Sequence, residues 1–478
     1  GVQCHNSPTN QNHLMTDCDQ QTFPFQDCGS KKVVADFSGG FLSSDGGAVL
    51  LREIEHRKKI VSQLSHCFTD YRAQWLVEHS IEELLMQRIC GLALGYEDLN
   101  DHDSLRHDPL LALVCHKKDV LGTNRAEHDQ GKALAGKSTL DRLELSAGGA
   151  LGIDKKITAD PEAIAGLLIE LGVKAIPRKS RRIVLDFDAT DDPIHGKQEG
   201  RFYHGYYRNY CYLPLYCFCG NIPLWAELRS SDRDGAKGTV EALEKIVPAI
   251  RKRFGKKVKI IVRGDGGFAR EDIMAWCEDK HIKYCLGLPR NPRLQEELEQ
   301  EFKELEKEID SEDFRPIRWY RDFEYKTLKS WTRRRRVVGK AELLEKGRNP
   351  RFIVTNFTRQ EYGAQELYED FYCARGDMEN RIKEQQMDLF ADRTSSSHFR
   401  TNQMRLWFSA FAHLMMEQLR AEALVRTSLA KATIGQIRLK LFKIAARVTI
   451  SCRRIYIQWC TASPNRDLLA RVHAALST

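Results

Sequence analysis

The spacing of apolar residues changes along the chain. Between 31 and 150, stretches such as VSQLSHCF and IEELLMQRICGLALG place apolar side chains at helical intervals and predict a helical domain. The DGG at 45–47 reads as a helix entry capped by Asp45. From 181 the period falls to two. RRIVLDFDAT, YHGYYRNYCYLPLYCFCG and IPLWAELRS predict three successive strands paired as antiparallel hairpins. TVEALEKIVPAIRKRF is an amphipathic helix, and KVKIIVRGD is a buried strand closed by glycines around Asp265. EDIMAWCEDKH predicts a helix and YCLGLPR a further strand. Residues 291–351 break the pattern with a charged helix, LQEELEQEFKELEKEI, then the strand-like IRWYRDFEYKTL and RRRVVGKAEL. FIVTNF returns as a strand, helices follow from about 364, and 401–478 reads as mainly helical with a late strand, RVTISCRRIYIQ. Residues 1–30 are polar and aperiodic and predict disorder. Met15 reads as the natural start, with 1–14 an artificial extension.

The order β-β-β-α-β-α-β, an insertion, then α is the layout of a ribonuclease H-like core. The expected fold class is therefore α/β, with a mixed five-stranded sheet and helices. The catalytic domain would span 181–290 and 352–400, the insertion domain 291–351, and helical regions would lie at both ends. Such a sheet ends in a cleft where side chains from distant segments meet.

That cleft explains an oddity in IVLDFDATDDP, at 183–193. Burying carboxylates in an apolar strand is costly unless their charge is compensated. Strand alternation puts Asp186 and Asp188 on one face, while Asp191 and Asp192 read as solvated caps or turn residues. Asp265 ends the other apolar strand, beside glycines that permit close backbone approach. In YCARGDMENRIKEQQ, helical spacing puts Tyr372, Arg375, Glu379 and Lys383 on one face, with Glu379 one turn from each cation. Hard oxygen ligands suit Mg²⁺. Two such ions ~3.5–4 Å apart can activate a nucleophilic oxygen and stabilise a leaving one in phosphodiester chemistry. A plainer reading makes Arg375, Glu379 and Lys383 an ordinary salt-bridge ladder and Asp265 a turn aspartate.

Composition narrows the classes. With 42% apolar residues in 478 the chain can bury a core, and no window is long and apolar enough to predict a membrane span. Its 14 cysteines form no CxxC pair, which argues against a disulfide framework or zinc ribbon, and Cys217 and Cys219 read as packing. The net charge of +8 is mild, but Arg333, Arg334, Arg335 and Arg336 are consecutive. They suit either a DNA backbone or a solvated charged face. GKALAGKS, at 131–138, matches the P-loop pattern, yet the preceding NRAEHDQ is no buried strand. It reads instead as a basic loop, with Ser138 or Thr139 capping a helix and Lys132, Lys137 or Arg142 touching DNA phosphate. No nucleotide cofactor is expected. EDLNDHDSLRHDP, at 97–109, reads as caps and turns rather than a metal site. The tyrosines at 203–216, interleaved with Arg201, His204 and Arg208, suit a nucleic-acid platform, but alternate ones must face a core. Trp319 and Trp331, in the insertion beside the arginine run, could grip a flipped base.

LDFDATDDPIHG, RGDGGF and YCARGDMENRIKE resemble the three signature blocks of bacterial insertion-sequence DDE transposases. With DFSGGFLSSDGG, GYEDLNDHDSLRHDP and LAGKSTLDRLE, the resemblance is to the insertion-sequence thirteen-eighty family and covers nearly everything after about residue 15. It implies a transposase that binds terminal inverted repeats through its N-terminal domain, cleaves the ends and joins 3′-OH ends to target DNA. It also implies metal-binding catalytic acids at Asp188, Asp265 and Glu379, with Mg²⁺ or Mn²⁺, and Asp186 as a helper. Tyr372, Arg375 and Lys383 would contact DNA, the partners would be double-stranded DNA and a second copy, and the location would be the bacterial cytoplasm at the nucleoid. The family's lysine position is Gln386 here, and Lys383 lies one turn closer. The alternatives are a ribonuclease H-like nuclease or resolvase without strand transfer, and a non-catalytic DNA-binding descendant.

Overall fold

A computed structural model describes residues 21–147, 156–308 and 316–477. The strand-forming runs between 182 and 355 join one mixed sheet, nine-stranded among the described residues. Its strands are β1 (Arg182–Ala189), β2 (Leu215–Cys219), β3 (Ile222–Glu227), β4 (Lys259–Gly264), β5 (Lys283–Leu288), β6 (Ile317–Tyr325), β7 (Arg335–Leu344), β8 (Gly347–Arg348) and β9 (Arg351–Thr355). The order is β3-β2-β1-β4-β5-β9-β7-β6, with β8 paired to β7. β3, β2 and β1 are antiparallel, β1, β4 and β5 are parallel, and β9, β7 and β6 add on antiparallel.

The five expected strands thus form one half of a larger sheet. The 291–351 run supplies much of the other half instead of standing apart. Its strands are too apolar to do otherwise: Val337, Val338 and Ala341 are buried beside Phe352, Ile353 and Val354. Leu294, Phe302 and Leu305 of the helices Pro292–Glu296 and Glu299–Glu308, with Leu298 between them, pack into one core with Val337, Ala341, Phe352 and Val354. Gly339 leaves room for Leu298, since a Cβ there would meet its methyl groups at 2.9 Å.

Period-two alternation sorts β1 between two layers. Ile183, Leu185 and Phe187 pack under the helices Thr239–Phe254 and Glu271–Asp279 with Ile246, Ile250, Ile273 and Met274. Val184 belongs to the opposite layer, with Ile261, Cys285, Leu367, Tyr368 and Phe371. Asp186 and Asp188 share that second face, under the helical segment that carries Glu379.

The terminal regions fuse into one helical body. Leu51, Ile54, Leu85 and Ile89 from the N-terminal part share a core with Phe408, Phe411, Leu441 and Val472 from the C-terminal part. The helix Phe399–Leu419 runs through this core and is buried along most of its length, its polar Asn402, Ser409, His413 and Glu417 included. Among the described residues no helix is long and apolar enough to cross a membrane.

Four local expectations change. Phe23–Cys28 and Lys31–Ala35 form an antiparallel hairpin where disorder was expected up to 30, while residues 1–20 lie outside the described set. Asp45 precedes the helical turn but does not cap it. Its carboxylate accepts from the Tyr96 hydroxyl at 2.6 Å and pairs with the Lys443 ammonium at 2.7 Å. The tyrosine-rich stretch breaks into Phe202–His204, Asn209–Tyr212 and β2, the first two joining Asp192–Pro193 in a small sheet. The late strand is a hairpin, Ala446–Ile450 with Ile455–Trp459.

Candidate active site

β1 and β4 run parallel with Phe187 beside Gly264, so the next residues come side by side, Asp188 still on β1 and Asp265 just past the end of β4. Asp188 sits opposite Tyr216 on β2. Asp265 opens a tight turn, and its Oδ1 accepts from the Gly267 amide at 2.8 Å. It is therefore a turn aspartate as well as a member of the cluster.

Glu379 arrives from Gly376–Lys383, an α-helical stretch within a helical segment from Ala364 to Asp388. The turns at Leu367–Tyr372 and Glu384–Asp388 are π-helical. Arg375 draws the acids together. Its guanidinium donates to Asp188 Oδ2 at 3.3 Å and to Glu379 Oε1 at 2.8 Å. Burial is the main force that pushes the Asp188 carboxyl up to about 7. Arg375 pulls it back down, and the charges of Asp265 and Glu379 push it further up. Glu379 keeps about half of its side chain, 48%, exposed. Tyr372 packs tightly against the strand end: a Cβ on Gly287 would stand 2.4 Å from its hydroxyl. Lys383 is exposed and has no partner among the described residues. Gln386 donates to Asp192 Oδ1 at 2.9 Å. Asp192 is fully buried, not solvated as expected, and burial holds its carboxyl far above the ordinary range.

Asp186, expected as a helper, is instead engaged by an arginine of the neighbouring strand. It makes a two-pronged ion pair with Arg263 on β4, at 2.5 and 2.8 Å. Arg263 also donates to the Phe371 carbonyl at 2.5 Å, just before Tyr372. The pair thus ties the sheet to the helical segment that carries Tyr372, Arg375 and Glu379. Arg263 was missed in the sequence, though a lone arginine in an apolar strand is the same anomaly as the aspartates.

The arginine run divides. Arg335 is 2% exposed in its side chain and bonds Glu271 and Glu278. Arg336 is buried against Asp322 and the carbonyls of Phe357 and Tyr362. Neither can reach a DNA backbone, because each neutralises a carboxylate left by a neighbouring element. Arg333 is exposed and pairs with Glu278 at 3.3 Å, and Arg334 is exposed without a partner among the described residues. Trp331 is buried against Tyr325 and Arg335, so it cannot grip a base.

No strand leads into the GKALAGKS loop among the described residues. Gly136, not Ser138 or Thr139, is the helix N-cap. The Asp103 carboxylate takes the Lys137 amide at 2.9 Å, and Asn100 takes its ammonium at 2.5 Å. Asp108 caps Pro109–Val114, so the acidic loop acts in caps and turns. A second cluster, Glu384, His413 and Glu417, has ligand atoms within 4.8 Å of one another. Arg420 bonds both glutamates, and burial drives the His413 imidazole down to about 3, which makes this an internal ion-pair network.

Across residues 25–478 the chain matches the family model described as Transposase DDE domain group 1. The chain belongs to the DDE transposase family. No curated protein matches this DDE transposase-family chain. One similar solved structure is that of the piggyBac transposase synaptic complex with hairpin DNA. It is 12% identical over 87% of each chain, with a TM-score of 0.34.

Proposed function

We propose that this chain is a DNA transposase whose catalytic acids are Asp188, Asp265 and Glu379, on a ribonuclease H-like core. The observation that carries the reading is their convergence around Arg375 at the end of two parallel strands. Three carboxylates with one guanidinium leave excess negative charge at a partly buried point. An all-oxygen donor set of this charge fits a hard divalent cation, Mg²⁺ or Mn²⁺. When bound, such ions supply activation of a water or 3′-OH oxygen and stabilisation of the leaving oxygen.

The protein's own side chains do the positioning. Asp188 and Asp265 are fixed by the strand register and Glu379 by the helix that Arg263 anchors. Arg375 sits among the acids and can hold the scissile phosphate through its planar fork. Tyr372 packs at the strand end beside it, and Lys383 and Arg334 offer exposed donors to the flanking backbone. The helical body would recognise terminal inverted repeats, with Lys137 at most a peripheral phosphate contact. Two copies would pair the ends, in the cytoplasm of a bacterium carrying an insertion sequence of the thirteen-eighty kind.

The test is to incubate the full chain with element-end DNA, target DNA and Mg²⁺ and to map products. Nicks at the ends followed by joining of the 3′-OH to target DNA are expected. Nicks without joining would favour a nuclease or resolvase. No nicks in any divalent metal would favour a non-catalytic DNA-binding protein.

A further inference from the structure

Beside the acid cluster stands a small sheet that the proposed chemistry does not use. Asp192–Pro193 begins four residues after Asp188 and pairs with Asn209–Tyr212, which pairs with Phe202–His204. Asn209, which closes the hairpin next to its turn, donates to Asp191 at 3.2 Å, so the tip side of the hairpin is held about 10 Å of chain from Asp188 at ~3.3 Å per residue. The Tyr207 hydroxyl lies within electrostatic reach of Asp188 and Asp265.

Only part of this stretch follows the core pattern. Tyr212 and Tyr216 are buried, but Tyr203, Tyr206 and Tyr210 are 58%, 85% and 46% exposed. Tyr203 and Tyr210 are a cross-strand pair with ring centroids 5.5 Å apart, and the Arg201 guanidinium lies 4.9 Å over Tyr210. Tyr206 and Tyr207 meet at the hairpin tip at 5.0 Å. Arg208 occupies the tip in a left-handed conformation, φ 56°, which a bulky residue adopts only under constraint. The side chains of Lys197 and Arg208 are exposed without partners among the described residues. The one acid between His195 and Tyr210, Glu199, accepts from the Phe399 amide. The surface is therefore aromatic and cationic, and its turn end is tied to Asp191, three residues from Asp188.

We infer that the 202–210 hairpin is a stacking platform for unpaired DNA bases next to the cleaved phosphate. Bases stack on aromatic faces without regard to sequence, and cations beside them track the backbone. Duplex DNA offers no free base faces except at its ends. The platform therefore takes a strand that is frayed or opened at the cleavage site, with Tyr203, Tyr206 and Tyr210 supplying the faces and Arg201 and Arg208 the charge.

The inference deepens the transposase reading, so its test is run in chelator, where no cleavage occurs. Full-length protein is titrated with oligo(dT) and with a duplex end bearing an unpaired 2-aminopurine beside the nick position. Tyr203→Ala, Tyr206→Ala and Tyr210→Ala combined should weaken oligo(dT) binding about 10–100-fold and abolish the wild-type quenching of 2-aminopurine. The triple Phe variant keeps the faces and should stay within about threefold of wild type, which also controls for folding. Binding of a fully paired duplex should be unchanged. Equal oligo(dT) affinity of the triple Ala variant overturns the platform, as does equal loss in the Phe variant or absence of wild-type oligo(dT) binding. A change in self-association without loss of oligo(dT) binding overturns it in favour of a protein interface. Metal-dependent nicking of ends is measured separately, so the platform and the acid site can fail independently.

Discussion

Asp186 and Asp188 lie two residues apart on one face of one strand, yet they meet opposite fates. Asp186 has a dedicated partner: Arg263 grips it with two prongs and leaves no charge over. Asp188 shares one guanidinium with Glu379 and stands beside Asp265, so its charge is only partly met. A buried acid with matched charge is architecture. A buried acid in a cluster short of positive charge fits the cation that the proposed function requires. The ratio of carboxylates to cations distinguishes the two where burial does not.

The largest effect should come from breaking the matched pair. Arg263→Met leaves Asp186 buried and uncompensated, which typically costs about 3–5 kcal/mol of stability in chemical denaturation. Adding Asp186→Leu should return much of that loss, because apolar replacement of a whole buried pair is often neutral. If the double variant is as unstable as the single, Arg263 stabilises by some route other than Asp186.

Arginines in the 333–336 run repeat the contrast at smaller scale. Arg335→Ala should cost about 2–4 kcal/mol, since Glu271 and Glu278 lose a buried partner. Arg334→Ala should leave stability within about 0.5 kcal/mol and lower the salt slope of DNA binding by about one. Equal stabilities for the two variants would erase the distinction drawn from their burial.

Asp188 should respond to pH in the metal-free protein. Its carboxyl is pushed up to about 7, above the ordinary 3.8, so folding favours its protonated form. The metal-free protein then loses stability as pH rises from about 4 through about 7. Asp188→Asn removes that penalty and should stabilise the metal-free chain by about 1–3 kcal/mol at pH 8. The gain should vanish near pH 4, read as the difference in Tm between the two pH values. A destabilised Asn variant at pH 8 would mean that Asp188 is already fully compensated.

Much of the site was legible in the sequence because it depends on local spacing. Period-two alternation placed Asp186 and Asp188 together, and helical spacing placed Arg375 one turn from Glu379. What sequence could not supply was pairing across the sheet. Arg263 opposite Asp186 depends on the register of two strands separated by two hairpins and a helix. The four consecutive arginines looked like one patch, but strand alternation and burial sent Arg335 and Arg336 inward. The same blindness merged three strands around 202–219 into one and left open which of the tyrosines face outward. The extension of the sheet by β6 and β7 was also beyond reach, since local pattern gives strands but not their neighbours.

The most direct test of the central claim is nicking of element-end DNA in Mg²⁺ by Asp188→Asn, Asp265→Asn, Glu379→Gln and Asp186→Asn, with binding measured in parallel. The first three should lose nicking by about a thousandfold or more and bind end DNA within about threefold of wild type. Folded Asp186→Asn protein should retain metal-dependent nicking. Wild-type nicking by any one of the first three, or wild-type nicking in excess chelator, would contradict the account.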